Sequence, residues 1–286
     1  MLDVSGHAIH NFVQIDNHMQ NSLGKVYLTH DIFKELNRYS EFYDSLSFST
    51  MGFVSSGTGA IINFDTYVFT SMKGTLESIH DILLKGRIND SYALLRKYYD
   101  SVIINIYTNI YLSVNQTLEE FIVKKIDDWV RGKEKIPSFG VMSDYIIKSQ
   151  KVAVITELIY KDNTFKGSAL EEIRQKCNKH MHYLFYHNML LNDNEIYSDK
   201  RLENLNNFLN DIRKIFILHF AYLFYLKDHY MISSDYMDCM DVGLEPPENS
   251  QSWVATFIQE IFNDVIKPHR PDIAKAIKEH TGMQLI

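Results

Sequence analysis

From Asn63 to Lys85 the apolar residues Phe64, Val68, Met72, Leu76, Ile79 and Leu83 step by three and four. After Gly86 the same spacing resumes through Tyr92, Leu95, Tyr99, Ile103, Ile106 and Ile110. Steps of three and four gather side chains on one face of a helix, whereas a half-buried strand needs strict alternation. Two long helices joined by so few residues are expected to pack antiparallel. No alternating run long enough for a strand occurs anywhere in the 286 residues. The expected fold is therefore all-α, an antiparallel helical bundle with additional helices at its N- and C-terminal ends.

Local signals divide the rest of the chain. Residues 1–25 mix Asn, His, Gln and Gly with scattered apolar residues and predict no regular element. Thr29 reads as the N-cap of a helix through Ile32, Phe33, Leu36, Tyr39 and Tyr43, with Asp31 at its positive end. Ser47 to Gly59 reads as a connecting loop, because its glycines lack both the following Gly-Lys-Ser/Thr and the dinucleotide spacing that a phosphate cradle needs. Asn89 or Asp90 opens the helix after Gly86. Thr117 to Arg131 predicts a third helix, stopped by Gly132, and Val141 to Tyr160 another. Ser168 with Glu171 forms a capping box that starts a helix near residue 169, which the loop Asn192 to Ser198 ends. Arg201 to Tyr230 is almost continuously apolar and predicts a central, buried helix. Gly243 to Ser250, with Pro246 and Pro247, is the clearest linker, and two short helices close the chain, Trp253 to Ile266 and Asp272 to His280. The expected divisions are an N-terminal helical and loop extension over residues 1–62, a bundle core over residues 63–240 and a C-terminal helical pair packed on the core over residues 241–286.

A chain that is 45% hydrophobic, with 17 Phe and 18 Tyr, can bury a sizeable core. A formal charge of -7 argues against a basic coat for nonspecific nucleic-acid binding and leaves room for a local basic site. Cys177 and Cys239 are too few for a disulfide framework and fit a reducing compartment. The start MLDVSGHAIH lacks the basic and apolar regions of a secretory signal. The longest apolar run, Ile215 to Leu226, contains His219 and is shorter than the ~20 residues of a membrane span. The expectation is a cytoplasmic protein without a membrane partner.

Chemistry concentrates in Ser168 to His187, where Arg174, Asn178 and His182 fall four apart on one stripe and His180 points elsewhere. On the earlier helix, Arg96 and Asp100 are also four apart, spaced either for an exposed ion pair or for a shared site. The pairing of LLRKYYDS (Leu94 to Ser101) with IRQKCNKHMHY (Ile173 to Tyr183) resembles the HEPN superfamily of helical-bundle proteins. That signature is an arginine, commonly followed by a polar residue such as Asn, with a histidine four to six residues beyond the arginine. The resemblance covers about Phe64 to Tyr230. Two registers are open. Arg174 and His180 satisfy the spacing directly; alternatively Asn178 and His182 take the motif's places, Cys177 stands where arginine is usual, and Arg174 supplies the charge from one turn upstream.

The resemblance implies RNA as a partner, a homodimer with the site at its interface, and metal-independent endoribonuclease activity in a toxin or antiviral defence setting, without a cofactor. Catalytic roles would fall to Arg174, Asn178, His182 and His180, and substrate binding to Arg96 and Asp100. A histidine can take the ribose 2′-hydroxyl proton or protonate the leaving oxygen, and an arginine can neutralise charge growing on the phosphoryl oxygens. Two other readings stay open. The polar stripe can simply satisfy groups inside a noncatalytic bundle that dimerises or binds a protein partner. Cys177, His180, His182 and His187 are close in sequence, yet their spacing is not that of a zinc site. His80, His219 and His229 read as core or surface residues.

Overall fold

The computed structural model describes residues 23–60, 62–161, 167–193, 200–245 and 253–286. Its elements are α1 (Lys25–Leu28), α2 (Asp31–Thr50), α3 (Phe64–Leu84), α4 (Ile88–Asn115), α5 (Lys124–Val130), α6 (Phe139–Lys148), α7 (Ala153–Lys161), α8 (Gly167–Met181), α9 (Tyr186–Leu190), α10 (Arg201–Leu226) and α11 (Ser234–Asp241). They end with α12 (Thr256–Ile261), which continues through a π-turn at Phe262–Ile266 into Lys267–His269, and with α13 (Pro271–His280). Among the described residues there is no strand; Ile232 and Val254 form an isolated antiparallel bridge. The fold is all-α. No helix among the described residues is long and apolar enough to cross a membrane.

Contacts divide the chain into two compact units, each assembled from three stretches: Met1–Ser40, Gly74–Tyr98 and Glu171–Arg213, and Glu41–Lys73, Tyr99–Leu170 and Lys214–Ile286. The first unit buries Tyr27, Ile32, Leu36, Tyr39, Leu76, Ile79, Leu83, Leu95, Leu205 and Phe208. Tyr27 donates its hydroxyl to the Leu83 carbonyl at 2.8 Å. The Glu35 carboxylate accepts from Arg213 Nε at 3.1 Å and also pairs with its Nη2.

In the second unit Phe42 is ringed by Phe216, Phe220, Phe224 and Phe257 at centroid distances of 5.2 to 6.3 Å. The α10 rings recur every four residues, which is why this helix reads as central. Burying each contributes about 1.5–3 kcal/mol. Beside this cluster lies a fully enclosed polar chain. Asn105 and Asn109, from the last turns of α4, donate to Asp65 Oδ1 at 2.7 and 3.3 Å, so the start of α3 meets the end of α4 as in an antiparallel pair. Tyr230 donates to Asp65 Oδ2 at 3.0 Å. Because the Asn105 amide nitrogen is committed to Asp65, its oxygen must accept from His219 Nε2, 2.9 Å away. His219 Nδ1 is then the acceptor for the Tyr43 hydroxyl at 2.6 Å. Burial pushes His219 down to about 3. Burial also raises Asp65, against the opposing charge of Lys227 and its hydrogen bonds from Tyr230, Asn109 and Asn105.

Several boundaries differ from expectation. Thr29 closes α1, its hydroxyl donating to Lys25 O, and His30 caps α2 instead, Nδ1 accepting from the Ile32 amide at 3.2 Å. Helix α2 runs on to Thr50, whose hydroxyl bonds back to Leu46 O at 2.8 Å. Helix α4 begins at Ile88, so Asn89 lies inside its first turn rather than before it. Helix α5 starts only at Lys124: the Val123 amide goes to Gly57 O at 2.7 Å, a tertiary bond that holds the preceding segment out of the helix. Extended backbone at Ser149 splits the predicted Val141–Tyr160 helix into α6 and α7. The Ser168 side chain, read as half of a capping box, and the loop at residues 194–199 lie outside the described residues.

Candidate functional site

Of the residues singled out on α4 and α8, Arg96 and Asn178 meet within the first unit. Arg96 Nη1 donates to Asn178 Oδ1 at 2.7 Å, joining the two motif-bearing helices. Arg174, one turn before Asn178, is half-buried, as are Asn178 and Arg96. His182 is exposed, and its backbone amide bonds to Asn178 O at 3.0 Å. Asp100 is half-buried and belongs to the second unit.

His180 has different surroundings. Its ring lies flat on Tyr92, centroids 3.9 Å apart and planes within 9°. Its Nδ1 is 2.8 Å from Asn89 Oδ1, and Asn89 Nδ2 donates to His180 O at 3.2 Å. Burial, with Lys176 and His187 adding like charge, pushes this imidazole down to about 4. It is held neutral at physiological pH, able to exchange a hydrogen bond but not to carry charge. Asn89 and Tyr92, three apart on α4, form this seat, and in the sequence Asn89 carries only a capping signal and Tyr92 only an apolar spacing. Cys177 is fully buried on the same helix.

The helix also stops early. It ends at Met181 rather than near Asn192, in a Schellman motif: Leu184 N donates to Lys179 O at 3.0 Å and Tyr183 N to His180 O at 3.2 Å. Tyr183 occupies the left-handed position with φ 47°, the one non-glycine with positive φ among the described residues. Asn188 Nδ2 donates to Lys179 O at 2.9 Å, and Asn192 Nδ2 bridges to Asp90 Oδ1 at 2.7 Å, fixing the following segment against α8 and α4.

Charge in this region is partly internal, Lys176 pairing with the buried Asp211 at 2.6 Å. Among the described residues no three or more His, Cys, Asp or Glu side chains converge on a point where a metal ion would sit. The arrangement offers one guanidinium, that of Arg96, fixed on the Asn178 amide, a second, that of Arg174, one turn from Asn178 on the same helix, and an exposed imidazole, that of His182, at the helix end. Those groups can bind an oxyanion and exchange a proton beside it. Compared with known protein families, curated proteins and solved structures, the chain finds no match.

Proposed function

We propose that this chain is a HEPN-like RNA-binding protein acting as a metal-independent endoribonuclease of the toxin or antiviral defence kind. The observation that carries the reading is the Arg96–Asn178 hydrogen bond, which joins the two resembling sequence segments one turn before the exposed His182. In this reading Arg96, oriented by Asn178, and Arg174 bind the non-bridging phosphate oxygens. His182 accepts the ribose 2′-hydroxyl proton as O2′ attacks phosphorus. The P–O5′ bond breaks, the leaving O5′ takes a proton from water and the protonated His182 returns its own to the hydroxide so formed, giving a 2′,3′-cyclic phosphate and a 5′-hydroxyl. His180, seated between Asn89 and Tyr92, supports the helix face rather than the proton transfer.

The test is incubation of labelled RNA with purified protein in the presence of a chelator. Wild type is expected to cleave. His182→Ala is expected to lose at least ~100-fold in rate, the usual contribution of a positioned acid or base, with an unchanged circular-dichroism spectrum. Full activity in that variant sinks the assignment. A second reading, a noncatalytic helical module that dimerises or binds a protein partner, draws support from Met181, Leu184 and Met189, all exposed next to the cluster.

A further inference from the structure

The segment that follows the candidate site exposes large side chains in succession. Tyr186 is 75% exposed, Leu184 60% and Phe185 51%; among the described residues Phe48, Tyr67 and Phe121 are comparably exposed, but none of those three adjoins another exposed ring and a basic stretch as Phe185 and Tyr186 do. It is held in place from below: Leu184 N and Asn188 Nδ2 both bond to Lys179 O, and the Asn188 amide bonds to Phe185 O at 3.0 Å. Phe185 is stacked on His187, centroids 5.5 Å apart and planes within 13°. Along the segment the charge is biased to one sign: residues 173–192 contain Arg174, Lys176 and Lys179 and no Asp or Glu, in a protein of net charge -7, with Lys176 paired to Asp211 and with Glu171, Glu172 and Asp193 just outside the stretch. An apolar face for a protein partner has no need of such a charge bias, whereas a polyanion with flat, unpaired bases matches both the cations and the rings.

We infer that Phe185 and Tyr186 form a stacking platform for unpaired nucleobases of single-stranded RNA, with Lys179 beside it contacting the backbone phosphates. The inference rests on the RNA reading above and deepens it: the substrate class is unpaired RNA, because bases inside a duplex offer no free face to these rings. Stacking on an aromatic ring is sequence-tolerant, so the platform selects strandedness and leaves sequence choice elsewhere.

Binding is measured separately from cleavage, by fluorescence anisotropy with a labelled 2′-O-methyl oligonucleotide of about 12 residues, single-stranded or annealed, in about 50 mM salt. Wild type is expected to prefer the single strand. Phe185→Ala with Tyr186→Ala, and equally Phe185→Leu with Tyr186→Leu, are expected to weaken single-strand binding by ~10-fold or more and leave duplex binding unchanged. Phe185→Trp with Tyr186→Trp is expected to retain it. Each variant is first shown to melt like wild type. If the leucine pair binds like wild type, apolar contact and not stacking is at work and the platform is overturned, while RNA binding stands. If wild type binds neither oligonucleotide, the RNA reading fails and takes the platform with it. A dimer in sedimentation velocity that the alanine pair dissociates, with RNA affinity unaltered, also overturns the platform in favour of a second copy covering these rings.

Discussion

His219 and His182 each sit in a polar cluster, and the clusters differ in where their hydrogen bonds end. Around His219 every link closes inside the protein: Tyr43 to His219, His219 to Asn105, Asn105 to Asp65, and Tyr230 to Asp65, with Asn63 Nδ2 donating to the Tyr230 hydroxyl. Around His182 the chain of contacts runs from Arg96 to Asn178 and along the backbone to an imidazole that faces solvent. A closed network contributes to stability and offers nothing to a ligand. An open one, with fixed groups presented to water, is where a ligand can complete the pattern. Histidine content alone does not separate the two; the burial of the partners does.

The sharpest way to break this comparison is to remove the centre of the closed network. Asp65→Ala leaves two asparagine amides and the Tyr230 hydroxyl without their acceptor and leaves Lys227 without its nearby carboxylate. A loss of about 3–5 kcal/mol in unfolding free energy is expected from urea denaturation. His182→Ala, at the open end, is expected to change stability by less than ~0.5 kcal/mol. Equal losses in the two variants remove the distinction.

Acid gives a second, smaller effect. His219 and His180 are pushed down to about 3 and about 4, so the folded chain keeps both neutral while the unfolded chain takes up protons below about 6.5. Their stabilisation is therefore fully present above about pH 6.5 and is lost as pH falls toward their folded values. Asp65 has the opposite sign: its raised value means the folded state takes up a proton first, which offsets part of the loss at low pH. Moving from pH 7 to pH 4.5 is expected to cost about 2 kcal/mol through His219. Urea midpoints at the two pH values measure it, and a flat profile shows that water reaches the network.

The two clusters were unequally legible in the sequence, for local reasons. Helices α3 and α4 were read from their apolar spacing and their stop at Gly86, because both signals are carried by neighbouring residues. The central α10 was equally plain from its recurring Phe residues. The start of α5 was not, because Val123 is drawn away by Gly57, far along the chain. Arg96 and Asn178 were each picked out by motif, but no spacing rule says that one donates to the other. The seat of His180 depends on Asn89 and Tyr92, ninety residues upstream, and so a histidine within motif distance of Arg174 could not be recognised as a buried, stacked one. The hydrogen bonds of His219 likewise join α2, α4 and α10, and nothing local marks it as part of a network.

The missed end of α8 leads to the smallest and most discriminating prediction. Helix α3 closes at Gly86 with the hydrogen-bond pair found at Tyr183: Gly86 N to Leu83 O at 2.8 Å and Arg87 N to Ile82 O at 3.2 Å. Gly86 has φ 73°, a conformation that glycine adopts at no steric cost and that an L side chain adopts at a cost of about 1–2 kcal/mol. Gly132 and Gly243 end their helices in the same way. Tyr183 bears that strain with a partly exposed ring whose hydroxyl accepts one long bond, 3.4 Å, from Asn192. If the ring serves only the fold, replacing it should cost stability. If it is kept for a ligand, Tyr183→Gly should stabilise the protein by about 0.5–1 kcal/mol, the relief of strain less the added freedom of the unfolded chain. It should also weaken single-strand RNA binding if this ring, two residues before Phe185 in the chain, adds a third stacking surface to Phe185 and Tyr186. A melting temperature that falls instead identifies Tyr183 as a packing residue and confines the platform to Phe185 and Tyr186.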